Sequence, residues 1–191
     1  MKVIVALLLV AVASASFSGF IQKLEQDEQK FFNSISNYFK ELNISVNATQ
    51  VALGVNQELN LVTDANGLNC VATVLPTVEN LQNVMGTLQN FEFAMTFEFI
   101  KPLISSLNSF DSLCQPAYNA YAEYFLDAVE AYQANENVFV HTVLENMLQN
   151  KDQTLALAVE LSTQIAAKDD TSAGETLAKL IQFALAQWLP Q

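Results

Sequence analysis

Apolar residues recur along most of this chain three and four positions apart, the spacing that lines one face of an α-helix. Between Phe20 and Leu42 they fall at Phe20, Ile21, Leu24, Phe31, Phe32, Ile35, Tyr38, Phe39 and Leu42, with a polar break at Asp27 and Glu28. Ser18 stands where an N-cap belongs, and Lys23 with Asp27 makes a supporting i,i+4 pair. A second stretch, Ala48 to Val62, carries Val51, Val55, Leu59 and Val62. Thr63 to Asn69, with its Asp, Asn and Gly, then reads as a turn.

The middle of the chain is less clear. Val71 to Leu75 could be a strand, yet Pro76-Thr77 has the form of a helix start, with Glu79 placed for the positive end of the dipole. Val78, Leu81, Val84, Met85, Leu88 and Phe91 keep helical spacing. Phe91 to Phe99 alternates with period two, which taken alone marks a half-buried strand. The residues before it enter in helical phase, which favours a helix apolar over most of its circumference at the centre of a bundle. Lys101-Pro102 ends or kinks that helix. Leu103, Ile104 and Leu107 follow as a short extension.

Ser112-Leu113-Cys114-Gln115 has the capping-box form, with Pro116 in the first turn, and opens a helix through Tyr118, Tyr121, Phe125, Val129 and Tyr132. Val138 to Gln149 and Leu155 to Ala167 are two further amphipathic stretches. Ser172-Ala173-Gly174-Glu175 is the clearest capping box. It introduces a terminal helix of Leu177, Leu180, Ile181, Ala184, Leu185 and Trp188, stopped at Pro190. The expected fold class is all-α, a compact antiparallel bundle of about six helices, since short polar connections favour antiparallel neighbours.

One apolar run has no helical period. Val3 to Ala13 is unbroken, Lys2 precedes it, and Ala13-Ser14-Ala15 closes it. That is the n-region, h-region and cleavage site of a secretory signal peptide, with cleavage expected after Ala15. It falls short of the roughly 20 apolar residues that span a bilayer, so no stable membrane anchor is expected. The expected organisation is a signal peptide over residues 1–15 and a single α-helical domain over 16–191. The expected location is secreted, extracellular or in the secretory-pathway lumen.

An oxidising compartment gives the two cysteines a meaning. Cys70 and Cys114 are the whole complement, and an even count in a secreted chain favours one intramolecular disulfide. Closing that loop would stabilise by roughly 3–4 kcal/mol in the chain-entropy picture. Free buried thiols or an intermolecular bridge are the alternatives. The same compartment makes Asn43-Ile44-Ser45 and Asn47-Ala48-Thr49 N-glycosylation acceptors, Asn43 and Asn47, in a polar junction that must be a surface turn or helix start.

Composition removes several functions. Hydrophobic residues make up 51% of the chain, too many for a disordered one. Twenty Asp and Glu face eight Lys, and there is no Arg, for a net charge of −12. Without a basic patch there is nothing to displace counterions from nucleic acid, and little to attract an anionic membrane surface. Membrane insertion by these amphipathic helices is disfavoured too, since interfacial helices carry Lys on the polar face.

Candidate chemistry is thin. His141 is the one histidine, no G-x-S-x-G nucleophile elbow is present, and an ordinary helical histidine is the simpler reading. Glu92 and Glu98 flank phenylalanines and could have raised pKa values if buried, but six positions apart they make no pair. Asp64 to Asn69 lacks the ligands of a calcium loop. Two cysteines and one histidine do not complete a zinc site, and no metal or cofactor is expected. Thirteen Phe and five Tyr remain. They fill the core, or Phe91, Met95, Phe99, Tyr121 and Phe125 enclose an apolar ligand pocket between helices. The resulting expectation is a secreted, acidic, non-enzymatic helical protein with a structural, interaction or secretory-cargo role. Its partner would be another protein or a second copy of itself. The alternative is a carrier of a lipid or other small hydrophobic molecule.

Overall fold

A computed structural model describes residues 26, 29–31, 34, 35, 46–74 and 114–190. The protein is all-helical, and no strand occurs among the described residues. Seven helices have full bounds: α1 (Ala48–Leu59), α2 (Ala65–Val74), α3 (Gln115–Tyr124), α4 (Leu126–Ala134), α5 (Glu136–Gln149), α6 (Lys151–Ala167) and α7 (Asp170–Ala184). Gln26, residues 29–31, Ser34 and Ile35 are helical as well, and Ile35 reaches the core.

α1 forms where the spacing of Val51, Val55 and Leu59 predicts it, and all three are buried. Asn47 caps its start, its side-chain oxygen accepting from the N–H groups of Thr49 (3.1 Å) and Gln50 (3.3 Å). Asn60 ends it in the left-handed region, φ 52°, where its N–H recovers the Asn56 carbonyl. Asn tolerates that backbone better than most side chains do.

Several expectations fail at boundaries. The turn expected over 63–69 is confined to its first residues, because Asp64 accepts from the N–H of Gly67 and starts α2 at Ala65. Its helix runs on through 71–74, which removes the strand reading there. Among the described residues no side chain caps α3: Cys114 precedes it with no capping bond and Pro116 sits in its first turn, while Ser112 of the expected box lies outside the described residues. The helix expected to run from Tyr118 to Tyr132 breaks at Phe125 into α3 and α4.

The Ser172–Glu175 box is not a cap at all. Asp169 caps α7, accepting from the Ser172 N–H at 3.3 Å, so Ser172 and Glu175 lie inside the helix. The earlier acidic pair 169–170 outcompetes it, since a carboxylate serves both as cap and as counter-charge to the dipole. α7 ends at Ala184, and residues 185–188 continue as turns.

α6 and α7 are joined by Lys168 and Asp169 alone and pack against each other. Lys168 takes φ 58°, and the N–H groups of Lys168 and Asp169 recover the carbonyls of Ile165 and Gln164. The most extensive helix pair, however, is α1 with α7, far apart in sequence. Asn47 meets Asp170, Gln50 meets Thr171, and Glu58 meets Lys179, so residue numbers rise together and the two helices run parallel. An antiparallel arrangement follows from short loops only for consecutive helices, and this pair has no such loop.

Two glycines let α1 and α7 touch. A Cβ on Gly54 would collide with the Thr171 carbonyl, and one on Gly174 with the Val51 carbonyl. Parallel packing also brings two positive helix starts together. The Asp170 carboxylate sits between them, accepting the Asn47 N–H at 2.9 Å. Around this seam the core gathers Val51, Val55, Leu59, Leu177 and Ile181 with Tyr121, Phe125, Phe139 and Leu161.

Candidate functional site

Cys70 on α2 and Cys114, the residue before α3, form a disulfide with Cα atoms 5.6 Å apart, closing a loop of 44 positions. Both are buried, and no free cysteine occurs among the described residues. α2 is thereby tied to α3.

A polar node ties α1 to the same pair. Asn56, in the last turn of α1, is buried. Its amide nitrogen donates to the Val62 carbonyl at 2.8 Å, which fixes the chain between α1 and α2. Its amide oxygen accepts from the Tyr121 hydroxyl of α3 at 3.2 Å. Burial pushes the Tyr121 hydroxyl well above its ordinary value, so it stays protonated and keeps donating. Every group in this node is neutral and bonded, an arrangement suited to holding three segments in register. Nothing in the local pattern singles out Asn56: an Asn inside a helical stretch reads as a surface residue. The signal available was its place one step from the apolar stripe of Val51, Val55 and Leu59.

The expected ligand pocket divides. Tyr121 and Phe125 are fully buried in the core, Phe125 edge-on to Tyr124 with ring centroids 4.9 Å apart. Phe91, Met95 and Phe99, and with them Glu92 and Glu98, lie outside the described residues. A different aromatic group comes together elsewhere. Phe139 meets Tyr132 edge-on at 5.5 Å and stacks on Trp188 at 4.6 Å. The turns after α7 thus fold back onto the start of α5. Asn146 of α5 reinforces this by donating to the Ala184 carbonyl at 3.0 Å.

His141 lies on the exposed side of α5, its Nδ1 3.4 Å from Glu145 Oε2 one turn on. That is a helix-surface pair of small energetic weight. Among the described residues no three His, Cys, Asp or Glu side chains gather to hold a metal ion. No helix of the described residues is long and apolar enough to cross a membrane.

Of the two sequons, Asn47 is described and Asn43 is not. Asn47 is exposed at the start of α1, next to Asp170. Its oxygen is committed to the cap, while its amide nitrogen has no partner among the described residues.

No protein-family model, no curated protein and no solved structure matches this chain.

Proposed function

We propose that the chain is an exported, disulfide-closed helical protein that works through contacts with another protein or with copies of itself, as a structural component or secretory cargo. The Cys70–Cys114 bridge carries this reading, because such bonds persist in oxidising compartments and are rare where thiols are kept reduced. The Lys2–Ala15 leader supports it independently. A contact role is favoured over catalysis by what the polar residues do. Asn56, Tyr121, Asn146 and Thr154 spend their side chains on the fold, the last donating to the Met147 carbonyl at 3.2 Å. The single histidine sits in a surface pair. The net charge of −12 would then tune solubility and the choice of basic partners.

Native mass spectrometry of the protein purified from its own source tests this reading. A defined oligomer or a stoichiometric protein partner is the expected result. A monomer carrying one equivalent of lipid would overturn it in favour of the carrier, with Phe91, Met95 and Phe99 as the first residues to examine. Recovery of the full leader on a protein with free thiols would remove the exported location.

A further inference from the structure

We infer that Asn47 is an N-glycosylation site whose one amide does two jobs, capping α1 through its oxygen and carrying a glycan on its nitrogen. The inference rests on the exported reading, since the transferase that recognises Asn-x-Thr works in the secretory lumen. What the structure adds is compatibility of the modified residue with the folded chain. Asn47 is exposed. Its oxygen faces two helix-start N–H groups, at 3.1 and 3.3 Å, which fixes which end of the amide points inward. Its backbone N–H is held by Asp170 at 2.9 Å. The remaining nitrogen is the atom a glycan needs, and no described residue uses it.

Transfer joins that nitrogen to the anomeric carbon of an oligosaccharide supplied on a polyprenyl diphosphate. The bond from the sugar to the diphosphate breaks with its electron pair going to the leaving group, and the amide loses one proton to the surrounding base. The product keeps its carbonyl oxygen, so both capping bonds survive. It also keeps one N–H and no charge. The glycan would then stand at the shared start of α1 and α7, over the Asn47–Asp170 contact, and would hold macromolecular partners off that end of the seam.

Expression of the full chain in a eukaryotic secretory host tests this, with glycan release by amidase in oxygen-18 water and peptide mapping. The expected result is an isotope-marked aspartate at position 47 in protein collected from the medium. Thr49→Ala should abolish the mark at 47 and keep the thermal midpoint of unglycosylated wild-type protein, because Asn47 and its cap are intact. Asn47→Asp should also abolish the mark, its carboxylate oxygen keeping the cap while standing beside the like-charged Asp170. Asn47→Gln should lose both the mark and stability. Secreted, disulfide-bonded protein with unmodified Asn47 would overturn the inference and leave the exported reading standing. Protein retained in the cytosol would overturn both.

Discussion

Where α1 crosses α7, the two backbones touch through Gly54 and Gly174; where α4, α5 and the C-terminal turns meet, Tyr132, Phe139 and Trp188 fill the space with rings. Both regions bury apolar surface, yet they fit by opposite means. The seam depends on side chains being absent, because a carbonyl occupies the volume a Cβ would take. The aromatic end depends on side chains being large, because the rings of Phe139 and Trp188 bridge α5 and the turns after α7. A change in side-chain volume should therefore have opposite effects in the two places, and that is how the comparison can be broken.

The largest effect is expected from Phe139→Ala. Phe139 is buried and contacts a ring on either side. Its removal should cost about 3–5 kcal/mol, the transfer free energy plus the cavity left behind. Urea titration measures the loss, and Trp188 emission should shift red as its stacking partner goes. A cost below about 1 kcal/mol would mean that the aromatic end collapses freely and is not closely packed.

Gly174→Ala comes next and tests the seam in the other direction. In an unpacked helix this change stabilises by about 1 kcal/mol, since Ala is the better helix former. Here the new methyl meets the Val51 carbonyl, so a net loss of about 1–3 kcal/mol is expected. Gly54→Ala should behave alike, and the pair should be non-additive because both sites lie in the same close approach of α1 to α7. Stabilisation by either change would show that α1 and α7 do not touch as described.

The Asn56–Tyr121 bond ties α1 of the seam to α3, and its loss adds a third, polar kind of contact to the comparison by way of pH. Tyr121→Phe removes the donor to a buried amide oxygen, at a cost of about 1–2 kcal/mol near neutrality. In the native protein the Tyr121 pKa is raised by burial, while in the unfolded chain it sits at the ordinary tyrosine value of 10.0. Above that pH the unfolded state gives up a proton that the folded state retains, so stability falls as pH rises from there toward the raised value. The Phe variant should lose part of this alkaline decline. Parallel slopes for the two proteins above pH 10 would show that Tyr121 ionises freely and is not buried.

What could be read from the chain follows the same division. Helices α1, α5, α6 and α7 were visible as apolar periodicity, and the disulfide as a cysteine count in an exported chain. Both signals are local or compositional. The seam was not visible, because Gly54 and Gly174 look like weak points of single helices until the partner backbone is in place. The break at Phe125 was hidden because the apolar period runs through it. The capping-box pattern places the start of α7 at Ser172 because two competing caps lie three residues apart, and the Asp169 carboxylate takes the role. Asn56 was missed for a related reason: its acceptor and donor come from elsewhere in the chain.

The smallest effect is expected where the seam opens to solvent. Lys179 and Glu58 pair across α7 and α1 at 3.7 Å, with side chains 42% and 29% exposed. Coulomb attraction at that separation is largely cancelled by water and by the entropy of holding two long side chains, leaving about 0–0.5 kcal/mol. Lys179→Ala should therefore move the thermal midpoint by no more than about 2 °C. Added salt should reduce even that. Were Lys179→Ala to cost as much as Gly174→Ala, charge pairing at the rim would be holding α1 to α7. The glycine contact would then be its consequence, not its cause.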